Sequence, residues 1–414
     1  MWRRKNYWLL FAILLLALTS LSPSMELDTS EGNYPPRQPQ SLSEQPDAKD
    51  KNRITSLNIR VSLSGKELEE LKLISNNYTL SSGVQVIISN VDTEENADML
   101  KRELTTGESP DIVMTDGRNI PDLATRGYLL PVDVYQSLPG SAPLTLLISQ
   151  MQWNGYDWGV PLDIDPYVLV YSPQQLGELG LTEAPNSLED WSLLLNHLRE
   201  LQVKELGKEQ YLLAMDSRNP YGYSALLESM GVSLTSGNTA ALEWTQYARS
   251  YFYLSSRYNT ELWDMLQSGK LAVAALPLSE WQLHGNASLK AAAPAAAAGD
   301  DGYEALYSRF FALPAGAKNP EAAVNWLAYI TSATAQLEWL ENTGRLPALD
   351  ELYRSALPDI TGLPFDSKLL LSDEAVAGES PGSSWSTISE AVTMLLTGKL
   401  DAAGYRAALG QDSE

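Results

Sequence analysis

The sequence predicts an α/β fold, on three observations. Apolar and polar residues alternate over 54–63 (ITSLNIRVSL), the period of a strand buried on one face. After the turn at Ser64-Gly65, Leu68, Leu71, Ile74 and Tyr78 recur at helical spacing. Gly83 restarts the chain and 84–88 reads as a second strand. A strand, a helix and a second strand in this succession make a βαβ unit with parallel strands.

The remaining elements follow in order. Helical pattern returns at 97–105, ahead of a short buried strand over 110–114. The middle of the chain is richer in helix. An amphipathic helix is expected over 187–201, capped by Asn186 or Ser187 with Asp190 as an anion near its N-terminus. Residues 238–256 and 322–342 also read as helices, and 270–276 as a strand ending at Pro277. The alanine-rich run 291–301 holds Pro294 and Gly299 and is expected to be a loop. The chain shows no internal repeat.

With 414 residues the chain can form two domains or one two-lobed unit. Its formal net charge of −23 repels phosphate backbones and anionic lipid, which argues against nucleic-acid binding. It has no cysteine, so disulfides, thiolate metal sites and cysteine nucleophiles are excluded. The two histidines, His197 and His284, lie far apart and in no metal-binding spacing, so neither a metal site nor a cofactor is read. Eleven Trp and 20 Tyr stand against 5 Phe. Such rings offer a flat apolar face with a polar edge, suited to amphipathic ligands such as sugars, although most are expected in the core.

Arg3, Arg4 and Lys5 precede an apolar run over 7–18, and Ser20, Ser22 and Ser24 follow. That is the order of a secretory signal, so 1–24 is read as a signal peptide or an uncleaved membrane anchor. Residues 25–53 are rich in Pro, Ser, Gln and acidic residues and are read as a disordered linker.

Four segments, in order, carry a resemblance. Pro110-Asp111-Ile112-Val113 is followed by Leu123, Gly127, Leu129, Pro131 and Asp133. Tyr156 to Pro161 (YDWGVP) is followed by Leu169-Val170-Tyr171-Ser172, Gly180-Leu181, Pro185 and Trp191. Then come Gly269-Lys270-Leu271-Ala272-Val273, and 313–347 with Pro320, Gln336, Gly344 and Pro347. Together they resemble the extracellular solute-binding proteins of the sugar-type, maltose-binding-protein-like family of ABC importers. The resemblance implies a two-lobed periplasmic-binding-protein fold (type II), with crossing hinge strands and a ligand cleft between the lobes. The N-terminal lobe would take 54–164 plus 312–346, and the C-terminal lobe 165–311 plus 347–414. Crossings are expected near 162–167, 310–314 and 346–348. The implied partners are a small-molecule ligand, a carbohydrate, and ABC permease subunits outside the cytoplasm. The protein itself would be a monomer.

The resemblance also nominates site residues. Asp165 stands four residues after Pro161, where the maltose-binding relative carries a ligand-binding carboxylate. Asp163 is the alternative on the same strand face, since strand side chains repeat every two residues. Asp116 and Arg118, with Thr115 and Asn119, follow the third strand; here the residue types depart from the maltose pattern and put maltodextrin specificity in doubt. Trp281, Tyr221, Tyr223 and Trp385 are candidate stacking rings, and Ser64, with Ser62, a candidate donor. Two other readings compete. One is a sensory subunit presenting ligand to a membrane histidine kinase or chemoreceptor, suggested by the missing lipoprotein cysteine. The other is a glycoside hydrolase using Asp163 and Asp165, disfavoured because two carboxylates on one strand face do not readily flank a bond from opposite sides.

Overall fold

The computed structural model describes residues 56–91, 100, 102–135, 142–204, 210–255, 258–294, 303–354, 363–371 and 384–411. The expected signal and linker lie outside these residues, as do 295–301 of the alanine-rich run.

Strands are numbered in chain order: β1 (Ser56–Val61), β2 (Gln85–Asn90), β3 (Ile112–Asp116), β4 (Leu129–Leu130), β5 (Gln152–Trp153), β6 (Tyr156–Asp157), β7 (Val160–Tyr171), β8 (Tyr211–Asp216), β9 (Phe252–Ser255), β10 (Leu271–Pro277), β11 (Lys290–Ala292), β12 (Leu306–Pro314) and β13 (Leu346–Pro347). The main sheet runs β2-β1-β3-β12-β7-β10-β8-β9. β1 pairs in parallel with β2 and β3, and β8 in parallel with β9 and β10. Between these parallel ends, β12 and β7 run antiparallel to their neighbours.

The expected βαβ unit is present. Leu57, Ile59 and Val61 of β1 point inward, and the helix Gly65–Ser82 lays Leu71, Ile74 and Tyr78 over the same core. Ser64 caps that helix reciprocally with Glu67. Phe311, Trp326, Leu327, Ile330 and Trp339 complete this core from residues more than 200 positions later. A second, larger core gathers around the C-terminal half of β7, β8, β10 and the helices flanking them.

β7 is the strand that organises the sheet. All twelve of its residues are buried. Its first half pairs with β12 on one edge and β13 on the other, and its second half with β10 on one edge and β11 on the other. Two prolines, Pro161 and Pro166, withhold ladder donors inside it. The register shifts opposite them: Phe310 faces Pro161 but Arg309 faces Asp163, so Leu162 is the extra residue of a bulge. A bulge re-aims the side chains beside it, here Asp163 and Arg309.

Several elements differ from the expectations. The helix anticipated over 238–256 ends at Ala248; Phe252–Ser255 is β9, because the aromatic run there pairs with β8. The helix anticipated over 322–342 is two helices, Pro320–Ile330 and Ala333–Thr343, divided where Ser332 caps the second. Ala291 and Ala292, expected in a loop, extend the sheet as part of β11. The segment expected to hold the second crossing, 310–314, is the latter part of β12, in which Leu306 to Phe311 pair with β7, Arg309 to Ala312 with β3, and Leu313 and Pro314 with β4. The cap of the helix Leu188–Lys204 is Ser187, whose hydroxyl accepts from Asp190 N–H. Among the described residues no helix is long and apolar enough to cross a membrane.

Candidate functional site

A cavity of about 1140 Å³ opens where β7, β12 and the segment entering β13 lie side by side. Carboxyl ends of parallel strands face it: Thr115 and Asp116 end β3, Asp216 ends β8 and Pro277 ends β10. That is where open α/β sheets bind ligands.

One wall is an ionic network. The Arg309 guanidinium is bonded by both oxygens of Asp163, at 2.9 and 3.1 Å from Nε, and lies 2.9 Å from Glu67. The Trp339 indole N–H donates to Asp163 at 2.7 Å. Arg345 pairs with Glu67 at 3.0 Å and with Asp165. Asp165 also accepts from the Ser279 N–H at 2.9 Å and its hydroxyl at 2.7 Å. Asp165 thereby satisfies an orphan N–H at the start of the helix Leu278–His284, whose N-cap, Pro277, offers no side-chain bond. Gly344, at φ 76°, ends the helix Ala333–Thr343 in a left-handed cap and so delivers Arg345 to the network. Burial alone would lift the Glu67 carboxyl, but Arg309 and Arg345 outweigh it and hold it far below the usual carboxylate range. Burial pushes Asp165 upward, opposed by Arg345 and Ser279. Burial also works against the Arg345 charge, and Asp165 beside it outweighs that effect.

The other wall is aromatic. The Tyr221 ring lies 5.7 Å from Tyr167, 5.4 Å from Tyr307 and 5.4 Å from Trp385. At its edge sits Asp116. Its carboxylate accepts from the Tyr221 hydroxyl at 2.8 Å, the Trp385 indole N–H at 3.1 Å and the Arg118 N–H at 3.0 Å. Burial raises the Asp116 pKa, and these donors, with the Arg118 charge, only partly offset it.

Of the residues nominated from sequence, Asp165, Asp116, Tyr221, Trp385 and Ser64 line the cavity, as do Ser62, Thr115 and Asn119. Four do not. Asp163 is fully buried behind the wall against Arg309 and Trp339. Arg118 donates to the Glu304 carbonyl at 2.6 Å and stacks on Trp385. Tyr223 is buried, with its hydroxyl 3.1 Å from Thr245. Trp281 packs by Gly285, off the cavity wall. The sequence reading missed Glu67, Arg309, Arg345, Tyr307 and Ser279. A pattern cue existed for Glu67, three residues after Ser64 in a capping box. Arg309 and Arg345 meet their partners only through the fold, 146 and 180 positions away.

Comparison with known proteins then places the chain. Its residues 74–361 match the model of a bacterial extracellular solute-binding protein family. No curated protein matches it by sequence. Solved structures do match in fold. The GacH receptor of Streptomyces glaucescens, studied unliganded and with acarbose, aligns with a TM-score of 0.61 at 20% identity, over 86% of this chain and 96% of its own. The maltose/maltodextrin-binding domain MalE of Bdellovibrio bacteriovorus, bound to maltotriose, aligns at 0.63 and 17%, over 86% and 98%. An ABC transporter solute-binding protein of Thermotoga lettingae, bound with α-D-tagatose, aligns at 0.62 and 18%, over 86% and 98%. The fold is therefore the two-lobed one of periplasmic sugar-binding proteins, and the chain belongs to the bacterial extracellular solute-binding protein family.

Proposed function

We propose that the protein is an extracytoplasmic carbohydrate receptor that closes over its ligand and delivers it, as a monomer, to the permease of an ABC importer. The observation that carries this reading is the pairing of the two walls in one large cavity at the crossing strands. Tyr and Trp faces suit the apolar C–H faces of a sugar ring, while ionised groups bond its hydroxyls. A volume of about 1140 Å³ exceeds the usual range for drug-sized ligands, so more than one ring fits. The ligands bound by the structural relatives, acarbose, maltotriose and tagatose, accord with this class.

Binding without turnover is supported by Asp163. It is removed from the cavity and its oxygens are spent on Arg309 and Trp339, so Asp163 and Asp165 do not present two carboxylates across one bond. Export through the N-terminal signal and association with the outer face of the membrane belong to the same proposal.

Calorimetric titration with a saccharide panel tests the reading. At least one mono- or oligosaccharide should bind, shifting Trp fluorescence through Trp385. A ligand at 100 times its Kd should add about 2.7 kcal/mol to stability. Silence across the panel overturns the proposal.

A further inference from the structure

Resting on that reading, we propose that the ligand is an amine-bearing saccharide, an amino sugar or its oligomer, whose ammonium is held by Asp116 among the rings of Tyr221 and Trp385. The cavity's charge points that way. Among the described residues, seven carboxylates and three guanidiniums line it.

The guanidiniums are already engaged. Arg309 and Arg345 serve three carboxylates, Glu67, Asp163 and Asp165. Arg218 pairs with Asp216 at 3.2 Å. None is left over for an anionic ligand. Asp116 stands apart from these pairs. It is half-buried on the wall, and the donors bonded to it are neutral: a phenol, an indole and a backbone amide. The nearby guanidinium, Arg118, is off the wall and donates to the Glu304 carbonyl. Glu280, also on the wall, has a buried carboxylate oxygen without a hydrogen-bond partner; its charged neighbour is His284 at 3.3 Å, a cation only when protonated.

The polar rims of Tyr221 and Trp385 meet Asp116, while Arg118 stacks on their faces. A water-poor cleft strengthens the pairing of such a carboxylate with an ammonium. A cleft of one net sign also gathers ligands of the opposite sign and turns away its own. Uronic acids and phosphorylated sugars should therefore be excluded.

The probes are the β-1,4 dimer of glucosamine, its N,N′-diacetyl counterpart, cellobiose, and the monosaccharides glucosamine, glucose and glucuronate. They are titrated calorimetrically into the exported chain at slightly acidic pH, where the amine is charged. The expected result is at least about tenfold tighter binding of the amino form than of its acetylated or hydroxyl counterpart, with glucuronate silent. Asp116→Asn should collapse that ratio: its amide oxygen still accepts from the Arg118 N–H, while the charge and the acceptor for the Trp385 indole N–H are lost. Glu280→Gln, a second variant on the wall, should reduce the ratio less. Equal affinity for amino and neutral sugars, or tightest binding of glucuronate, overturns this inference and leaves the carbohydrate receptor standing. An Asp116→Asn variant that folds and retains the full ratio also overturns it. If no sugar binds at all, both proposals fall together.

Discussion

Asp163 and Asp165 are two residues apart on one strand, yet their surroundings give them different work. Asp163 lies at 0% exposure and Asp165 at 1%, but only Asp165 reaches the cavity. Removing the charge of a buried pair leaves the partner uncompensated, which is worse than having no pair at all. Asp163→Asn should therefore destabilise the protein by about 3 kcal/mol, since Arg309 keeps Glu67 but loses its main partner. Trp339→Phe, which deletes one donor to the same carboxylate, should lose about 1 kcal/mol. Urea unfolding of both variants tests this, and equal losses would sink it. The same residues show what a sequence can disclose. The family resemblance points to Asp165, four residues after Pro161, with Asp163 as its alternative on the same strand face. Nothing local separates the structural acid from the one that reaches the cavity, because the discriminating partners, Arg309, Trp339 and Arg345, are more than 140 positions away.

Elements carry two further predictions. Gly344 and Gly83 both end helices in the left-handed region, at φ 76° and 74°. Alanine at either should cost about 1 kcal/mol, as the Cβ disfavours that conformation. Only Gly344→Ala should also weaken ligand binding, because the residue it would displace is Arg345. Matched losses in melting temperature with unequal losses in affinity are the expected signature, read by thermal unfolding and calorimetry.

The second element is the helix Tyr221–Ser229. Its Glu228 is buried against the backbone N–H groups of Glu304 and Ala305, and burial pushes its pKa from 4.5 to about 8 despite those donors. A carboxyl raised in the folded state gives stability that is fully present below pH 4.5 and is lost as pH rises to about 8. Stability should fall by up to about 1.4 kcal/mol per pH unit across that window and flatten above it. Glu228→Gln should remove this slope; an unchanged profile by chemical denaturation at pH 5 to 9 would exclude it.

At this scale the strands were the more legible elements. Alternation in β1 and the apolar run of β10 are local facts. β9 was misread as helix because its aromatic residues suit either period, and pairing with β8 decided the matter. The break at Ser332 was missed because both helices share a continuous apolar pattern, whereas the interruption is a cap bond to the Ala335 N–H.

For the whole molecule, β12, β7 and Arg345 at the entry to β13 contribute side by side to the cavity lining. Small dihedral changes in such segments permit hinge closure. Saturating ligand should therefore reduce the radius of gyration in solution scattering. A profile unchanged by a bound ligand would contradict the hinge reading.

The first core has an assembly consequence. Its members run from Leu57 to Leu162 and then from Phe311 to Trp339, with a long interval of chain between. A ribosome adding about 5 to 20 residues each second would need many seconds to supply that interval. The early strands would meanwhile lack the tryptophans that cover them, so the first half of the chain cannot set until the second has been made.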